Sequence, residues 1–266
     1  MTLKFIKKNH FMEYWLPRIL TGTSITLFFQ LGYVWASKGH HIASMSGGNT
    51  ALDGMIPLVP IFIVPYIAGY FFVFAPLLLL SDRKDYYWGS TIFIAVLSIG
   101  FLSFKFFPVL LDRSYATGDD IFSKITLLQK KIDTPLNNCP SFHVALNTYC
   151  WGSLYIKYGK KMLQWIWIPA LIIASTLLVK QHLIIDVIGG IILGAGATIM
   201  FHSLRNNHSL SRPFFAVSQA FVLIMVFSNW QQIEVIWGGI TNSGLSFATS
   251  NLHWFWHSEK CSLNIA

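Results

Sequence analysis

His182 and Asp186 stand four residues apart, so on a helix the carboxylate shares a face with the imidazole and can reach it. An acceptor on one ring nitrogen fixes the tautomer and leaves the other nitrogen free as a nucleophile or base. By itself the pair is weak, because a structural His–Asp hydrogen bond between helices explains it equally well. A second histidine closes the run Cys139-Pro140-Ser141-Phe142-His143. Pro140 suits a helix entry, and Ser141 suits a cap or a direct ligand. Free N–H groups at such a terminus form an anion site that phosphate would fill. Arg113 and Lys180 could clamp a phosphoryl group, or they could be snorkelling interfacial charge. Each feature alone reads as ordinary structure; gathered on one face they would be a phosphoryl-transfer site.

The elements between them must bring them together. About two hydrophobic helices' worth of sequence separates His143 from His182, and a down-and-up pair returns both ends to one side of a membrane. The composition agrees. The chain has 266 residues, 54% hydrophobic and only 11% charged, with a mean hydropathy of +0.53, whereas soluble domains carry about 25% charged residues. Apolar runs recur at Leu16–Ala36, Pro57–Leu80, Tyr87–Phe107, Val144–Tyr155, Met162–Val179 and Leu183–Leu204, with a weaker one at Pro213–Ser228. The expected fold is an all-α integral membrane bundle of six core transmembrane helices and a weaker seventh. Residues 1–15 read as a basic interfacial segment, 16–204 as the six-helix catalytic domain, and 205–266 as the seventh helix and a tail.

Lys4, Lys7 and Lys8 interleave with Phe5, Ile6 and Phe11, a pattern for anionic lipid surfaces. No small-residue cleavage pattern follows, so the first apolar run reads as a retained span. Pro57, Pro60, Pro65 and Pro76 imply a kinked second span. The longest polar interval, Pro108–Pro140, has the length of a functional loop. With the N-terminus in the cytoplasm, the cytoplasmic segments hold Lys4, Lys7, Lys8, Arg18, Arg83, Lys84, Lys157, Lys160, Lys161, Arg205 and Arg212, which is 11 of the 19 basic residues. The positive-inside rule then puts His143, His182 and the long loop on the non-cytoplasmic side. That topology also accounts for a pI near 9.4 without nucleic acid. Three scattered cysteines give neither a disulfide framework nor a metal-ligand spacing. His40-His41, His202, His208, His253 and His257 have no partner spacing, and the tail after Asn229 carries no motif. The small residues of Gly190-x-x-x-Gly194 mark a face for close helix packing.

Pro-Ser-Phe-His at 140–143, then Ser175-Thr176, five residues, His182, three residues and Asp186, resembles the second and third motifs of the type 2 phosphatidic acid phosphatase superfamily. Asp53, Pro57, Pro60 and Pro65-Tyr66 resemble its branch of inositol phosphorylceramide synthase-like proteins. The resemblance covers roughly Leu52 to Leu204. It implies a six-helix bundle without metal or other cofactor, acting on a lipid phosphate. In that reading His182 attacks phosphorus, Asp186 orients it and His143 protonates the leaving alcohol. Ser141, the Phe142 backbone N–H, Arg113, Lys180 and Ser175 would hold the phosphoryl oxygens. The sequence departs from the family pattern at Phe142, where the motif has Gly, and at Thr176, where it has Arg; Lys180 is the expected substitute for that Arg. The first motif is absent as written, since seven residues separate Lys105 from Arg113. The expected activity is hydrolysis of a lipid phosphate. Head-group transfer by the same phosphohistidine is the alternative, and a non-catalytic membrane protein, such as a haem carrier using His143 and His182, is a third reading.

Overall fold

The computed structural model describes residues 11–38, 48–113 and 118–228. The segment with Lys4, Lys7 and Lys8, the His40-His41 pair, and the tail with His253 and His257 lie outside the described residues. Within them the chain is all-helical, with no strand. A π-helical turn, Phe11–Trp15, runs into α1 (Leu16–Ser37). Next come α2 (Ala51–Met55), a 3₁₀ turn at Pro60–Phe62, α3 (Ile63–Phe72) and α4 (Ala75–Leu79). The long α5 (Arg83–Phe106) precedes the amphipathic α6 (Ile121–Ile132). The last four helices are α7 (Phe142–Tyr158), extended by a 3₁₀ stretch at Gly159–Trp165, then α8 (Trp167–Leu178), α9 (Ile184–Leu204) and α10 (His208–Ser228).

Among the described residues four helices are long and apolar enough to cross a membrane, Met12–Ser37, Arg83–Phe106, Ile184–Leu204 and His208–Ser228, and the number is five if Phe142–Trp165 and Trp167–Leu178, joined at a 72° bend, form one span. The chain is a membrane protein, but its helices do not give the expected six spans and weaker seventh. The second apolar run breaks into three short pieces because its prolines remove backbone donors along its length. Pro60 opens the 3₁₀ turn and Pro76 the first turn of α4. The 12-residue α8 is shorter than the roughly 20 residues a straight span requires, whereas the run read as weakest forms the full-length α10.

The core lies where α1, α5, α7, α9 and α10 meet, around Phe28, Leu97, Phe101, Phe104, Phe142, Tyr149, Phe201 and Val222. Phe142 packs edge-on against Phe101 and Phe104, with ring centroids 5.2 and 4.8 Å away. At the far end of α7, Asp85 receives Lys157 Nζ at 3.1 Å and Arg205 Nη2 at 3.2 Å, tying α5, α7 and the end of α9 together.

The feature that builds the site is the contact between α7 and α9. A Cβ at Gly190 would lie 2.8 Å from the Ser141 carbonyl oxygen, and one at Gly194 would lie 2.4 Å from that of Ala145. Only glycine lets the two backbones come this close. The approach seats the N-termini of α7 and α9 side by side, where the Ser141 N–H donates to the Asp186 carbonyl at 3.0 Å. Gly194→Ala should therefore lower stability by about 1–3 kcal/mol through overpacking. Gly196→Ala, whose Cβ meets nothing within 4 Å, should leave it unchanged or slightly raised. Thermal unfolding of the two purified variants in detergent checks this.

Candidate active site

His143 is the second residue of α7, just inside the Ser141 cap, whose hydroxyl accepts from the Val144 N–H at 3.4 Å. Its ring stacks on Tyr66 of α3, centroids 4.0 Å apart, and meets Tyr70 edge-on at 4.4 Å. Nε2 lies 3.1 Å from the Tyr66 carbonyl oxygen. A carbonyl only accepts, so the network assigns a proton to Nε2. Asn147, one turn on, donates from Nδ2 to the His143 carbonyl at 2.6 Å.

His182 sits in the short link between α8 and α9, and its ring centroid is 6.4 Å from that of His143. Thirty-nine residues of sequence separation thus close into one site. Nδ1 of His182 lies 3.5 Å from Asp186 Oδ2. That is an ion-pair distance but long for a hydrogen bond. The same Oδ2 accepts from the Leu183 N–H at 2.8 Å, so Asp186 serves the helix terminus and the imidazole together. The Cys139 thiol is a neighbour of Asp186; burial pushes it up to about 11, and the Asp186 charge adds to that.

The two histidines share a polar chamber of about 320 Å³ with Gln30, Tyr33, Tyr66, Tyr70, Gln129, Asp133 and Asn137. A second, apolar cavity of about 240 Å³ runs between α1, α3, α5 and α7, lined by residues such as Ile25, Val73, Leu97 and Leu146. The two spaces share Phe29, Gln30, Tyr70, Phe142 and His143, so His143 stands at their junction.

The proposed clamp residues are placed less directly. Arg113 is buried and lines neither space: Nη2 pairs with Asp133 Oδ2 at 3.1 Å, and the guanidinium also donates to the carbonyls of Asp133 and Thr134. A buried guanidinium must find such partners. Asp133 also accepts from the Tyr33 hydroxyl. Lys180 lines a small crevice with His182 and Asp53 outside the chamber, its Nζ donating to the Asp53 carbonyl at 2.7 Å. The Ser175 hydroxyl turns back to Ile172 O at 2.5 Å inside α8. Lys105, in the last turn of α5, donates to Lys38 O at 2.5 Å. Ser141 and Phe142 are at the α7 terminus with His143, the Phe142 ring in the aromatic core.

Sequence reasoning did not place Tyr66, Tyr70, Asn147, Asp133 or Asp53 in the site. Asn147 was open to discovery, being four residues after His143 on one helix face. Asp53 caps its own helix with Thr50 and reaches across to α9, Oδ1 accepting from the Ile184 N–H at 2.8 Å. Burial would raise its pKa, but hydrogen bonds from Thr50 and Ile184 and the Lys180 charge outweigh it and hold the carboxyl below the usual range. Among the described residues no three His, Cys, Asp or Glu side chains are grouped to hold a metal ion.

Two histidines from different helix termini, one backed by a carboxylate, face each other across a chamber large enough for a phosphate ester. No curated protein and no solved structure matches the chain. A model of the PAP2 superfamily matches residues 63–200, a stretch that contains both histidines, Asp186, α7, α8 and most of α9. The chain belongs to the PAP2 superfamily, a family of phosphatases and phosphotransferases.

Proposed function

We propose that the protein is a lipid phosphate phosphohydrolase working through a phosphohistidine on His182 at the non-cytoplasmic membrane interface. The observation that carries this reading is the place of His143, at the junction of the polar chamber and the apolar cavity. A phosphate in the chamber can be continuous with a hydrocarbon chain between the helices.

In the first step a nitrogen of His182 attacks phosphorus. An N–P bond forms, the P–O bond to the alcohol breaks, and His143 gives a proton to the departing oxygen. In the second step His143 takes a proton from water, which attacks the phosphohistidine and releases inorganic phosphate with His182 restored. Asp186 steadies the imidazole through both steps. The phosphoryl charge meets the α7 terminus, and Arg113 stands outside the chamber lining, behind Asp133. Asp133 lines the chamber and holds Arg113, so an entering phosphate competes with it for the same guanidinium.

Transfer to a second alcohol, as in the inositol phosphorylceramide synthase-like branch, is the alternative. The amide, phenol and carboxylate groups of Gln30, Gln129, Asn137, Tyr33 and Asp133 favour it, because they offer a hydroxylated acceptor several partners. Purified protein in detergent, given phosphate monoesters and phospholipids with phosphate and lipid products both measured, separates the two. Activity should survive EDTA and be blocked by vanadate. No product from any phosphate ester would remove both readings, and activity lost in chelator and restored by one divalent ion would remove the metal-free mechanism.

The side of the membrane has its own test. In a protein stripped of its native cysteines, one placed at Asp119 should react with an impermeant reagent from the non-cytoplasmic side, and one at Lys160 should not. The reverse labelling would move the site to the cytoplasmic face.

A further inference from the structure

We infer that Asp53 is a positioning residue for the nucleophile, bracketing His182 from both sides and freeing Asp186 to orient the imidazole. The inference rests on the phosphohistidine reading above. Two residues before His182, Lys180 has a φ of 56°, a left-handed backbone that a non-glycine residue keeps only where its surroundings hold it. Part of that hold is the end of α8, where the Lys180 N–H donates to Leu177 O and the His182 N–H to Thr176 O. The rest comes from α2. Lys180 Nζ reaches the Asp53 carbonyl at 2.7 Å, and two residues after His182 the Ile184 N–H reaches Asp53 Oδ1 at 2.8 Å.

Asp53 is itself pinned, its Oδ2 accepting from the Thr50 N–H at 2.9 Å and the Thr50 hydroxyl at 2.5 Å. The consequence falls on Asp186. Ile184 is the first residue of α9, so its N–H has no partner within the helix. Asp186 already caps Leu183 at 2.8 Å while standing 3.5 Å from His182 Nδ1. With Asp53 absent, one carboxylate would face two N–H groups at the terminus as well as the imidazole, and it would be drawn off the ring.

The test uses full-length protein in detergent, with p-nitrophenyl phosphate turnover and ¹⁵N-histidine NMR read side by side. His182 and His143 signals are assigned from the corresponding glutamine variants. Asp53→Ala should lower kcat by about 10–100-fold, the usual scale for a group that orients a reacting ligand, with KM little changed. The His182 tautomer signal should shift while that of His143 stays. Asp53→Asn, which keeps an oxygen for the Ile184 N–H, should recover most of the loss. Wild-type kcat and an unmoved His182 signal in Asp53→Ala would overturn the inference. So would equal losses in both variants, or a fall in step with folded protein and both histidine signals moving together. If the wild type turns over no phosphate ester, the functional reading fails, and the NMR comparison still decides whether Asp53 sets the geometry of His182.

Discussion

His182→Ala should reduce turnover of phosphate esters to background while leaving binding of the lipid phosphate nearly intact. A nucleophile contributes in the bond-making step, so its loss appears in kcat and not in ground-state affinity. The structure gives the variant reason to fold. The His182 side chain makes no hydrogen bond beyond its contact with Asp186 among the described residues, and its backbone N–H, bonded to Thr176 O, is kept. Denaturing quench of wild type with labelled substrate should trap an acid-labile, base-stable phosphoenzyme, and the variant should trap none. His143→Ala should behave differently, because a general acid contributes about 10²–10⁴-fold and matters least when the leaving group needs no proton. Its loss should be smaller on p-nitrophenyl phosphate than on an alkyl phosphate. Activity or a trapped phosphoenzyme persisting in His182→Ala would place the nucleophile elsewhere.

The two histidines and Asp186 that meet in the candidate site were legible because motif spacing is a local rule. Counting four residues from His182 found Asp186, although His182 stands in the link before α9 and not on its face, and the glycines at 190 and 194 announce a close approach of helices before any partner is known. The partner, α7, is where the fold adds what the sequence withheld. Spans were read less well, because hydropathy averages over breaks. Pro57–Leu80 is apolar throughout, yet its prolines divide it into a 3₁₀ turn and two short helices.

The electrostatics of the site were the least legible part. Arg113 was read as a clamp from its charge, its expected side and a partial motif match, but a buried guanidinium is defined by what it pairs with. Asp133, twenty residues on, is its partner, and no local rule links the two. Asp53 reaches Ile184 across 131 residues, again beyond any spacing argument. Tyr66 entered only through its resemblance to a family branch, and the packing of α3 on α7 makes it the surface on which His143 stacks. Pairings set by tertiary contact decide how the candidate site is held, while His143, His182 and Asp186 carry motif spacings of their own.

Asp186→Asn should keep the fold and lose up to about 10⁴-fold in kcat, the scale seen when the orienting carboxylate of a serine protease becomes an amide. Oδ2 serves both the Leu183 N–H, at 2.8 Å, and the imidazole, at 3.5 Å, so an amide that turns its NH₂ to Nδ1 gives up that cap, a loss of about 0.5–2 kcal/mol that the fold survives. A carboxylate accepts a hydrogen bond from the N–H of Nδ1 and leaves Nε2 free to attack, whereas an amide NH₂ facing Nδ1 donates to it and moves the ring proton to Nε2. The nucleophilic nitrogen is then blocked without any change of shape. Melting temperature should therefore stay within a few degrees of wild type while phosphoenzyme formation slows by the full factor in a single turnover. A variant that melts far earlier would show that Asp186 mainly secures the helix terminus. One that keeps wild-type kcat would show that the 3.5 Å contact with His182 does no orienting at all.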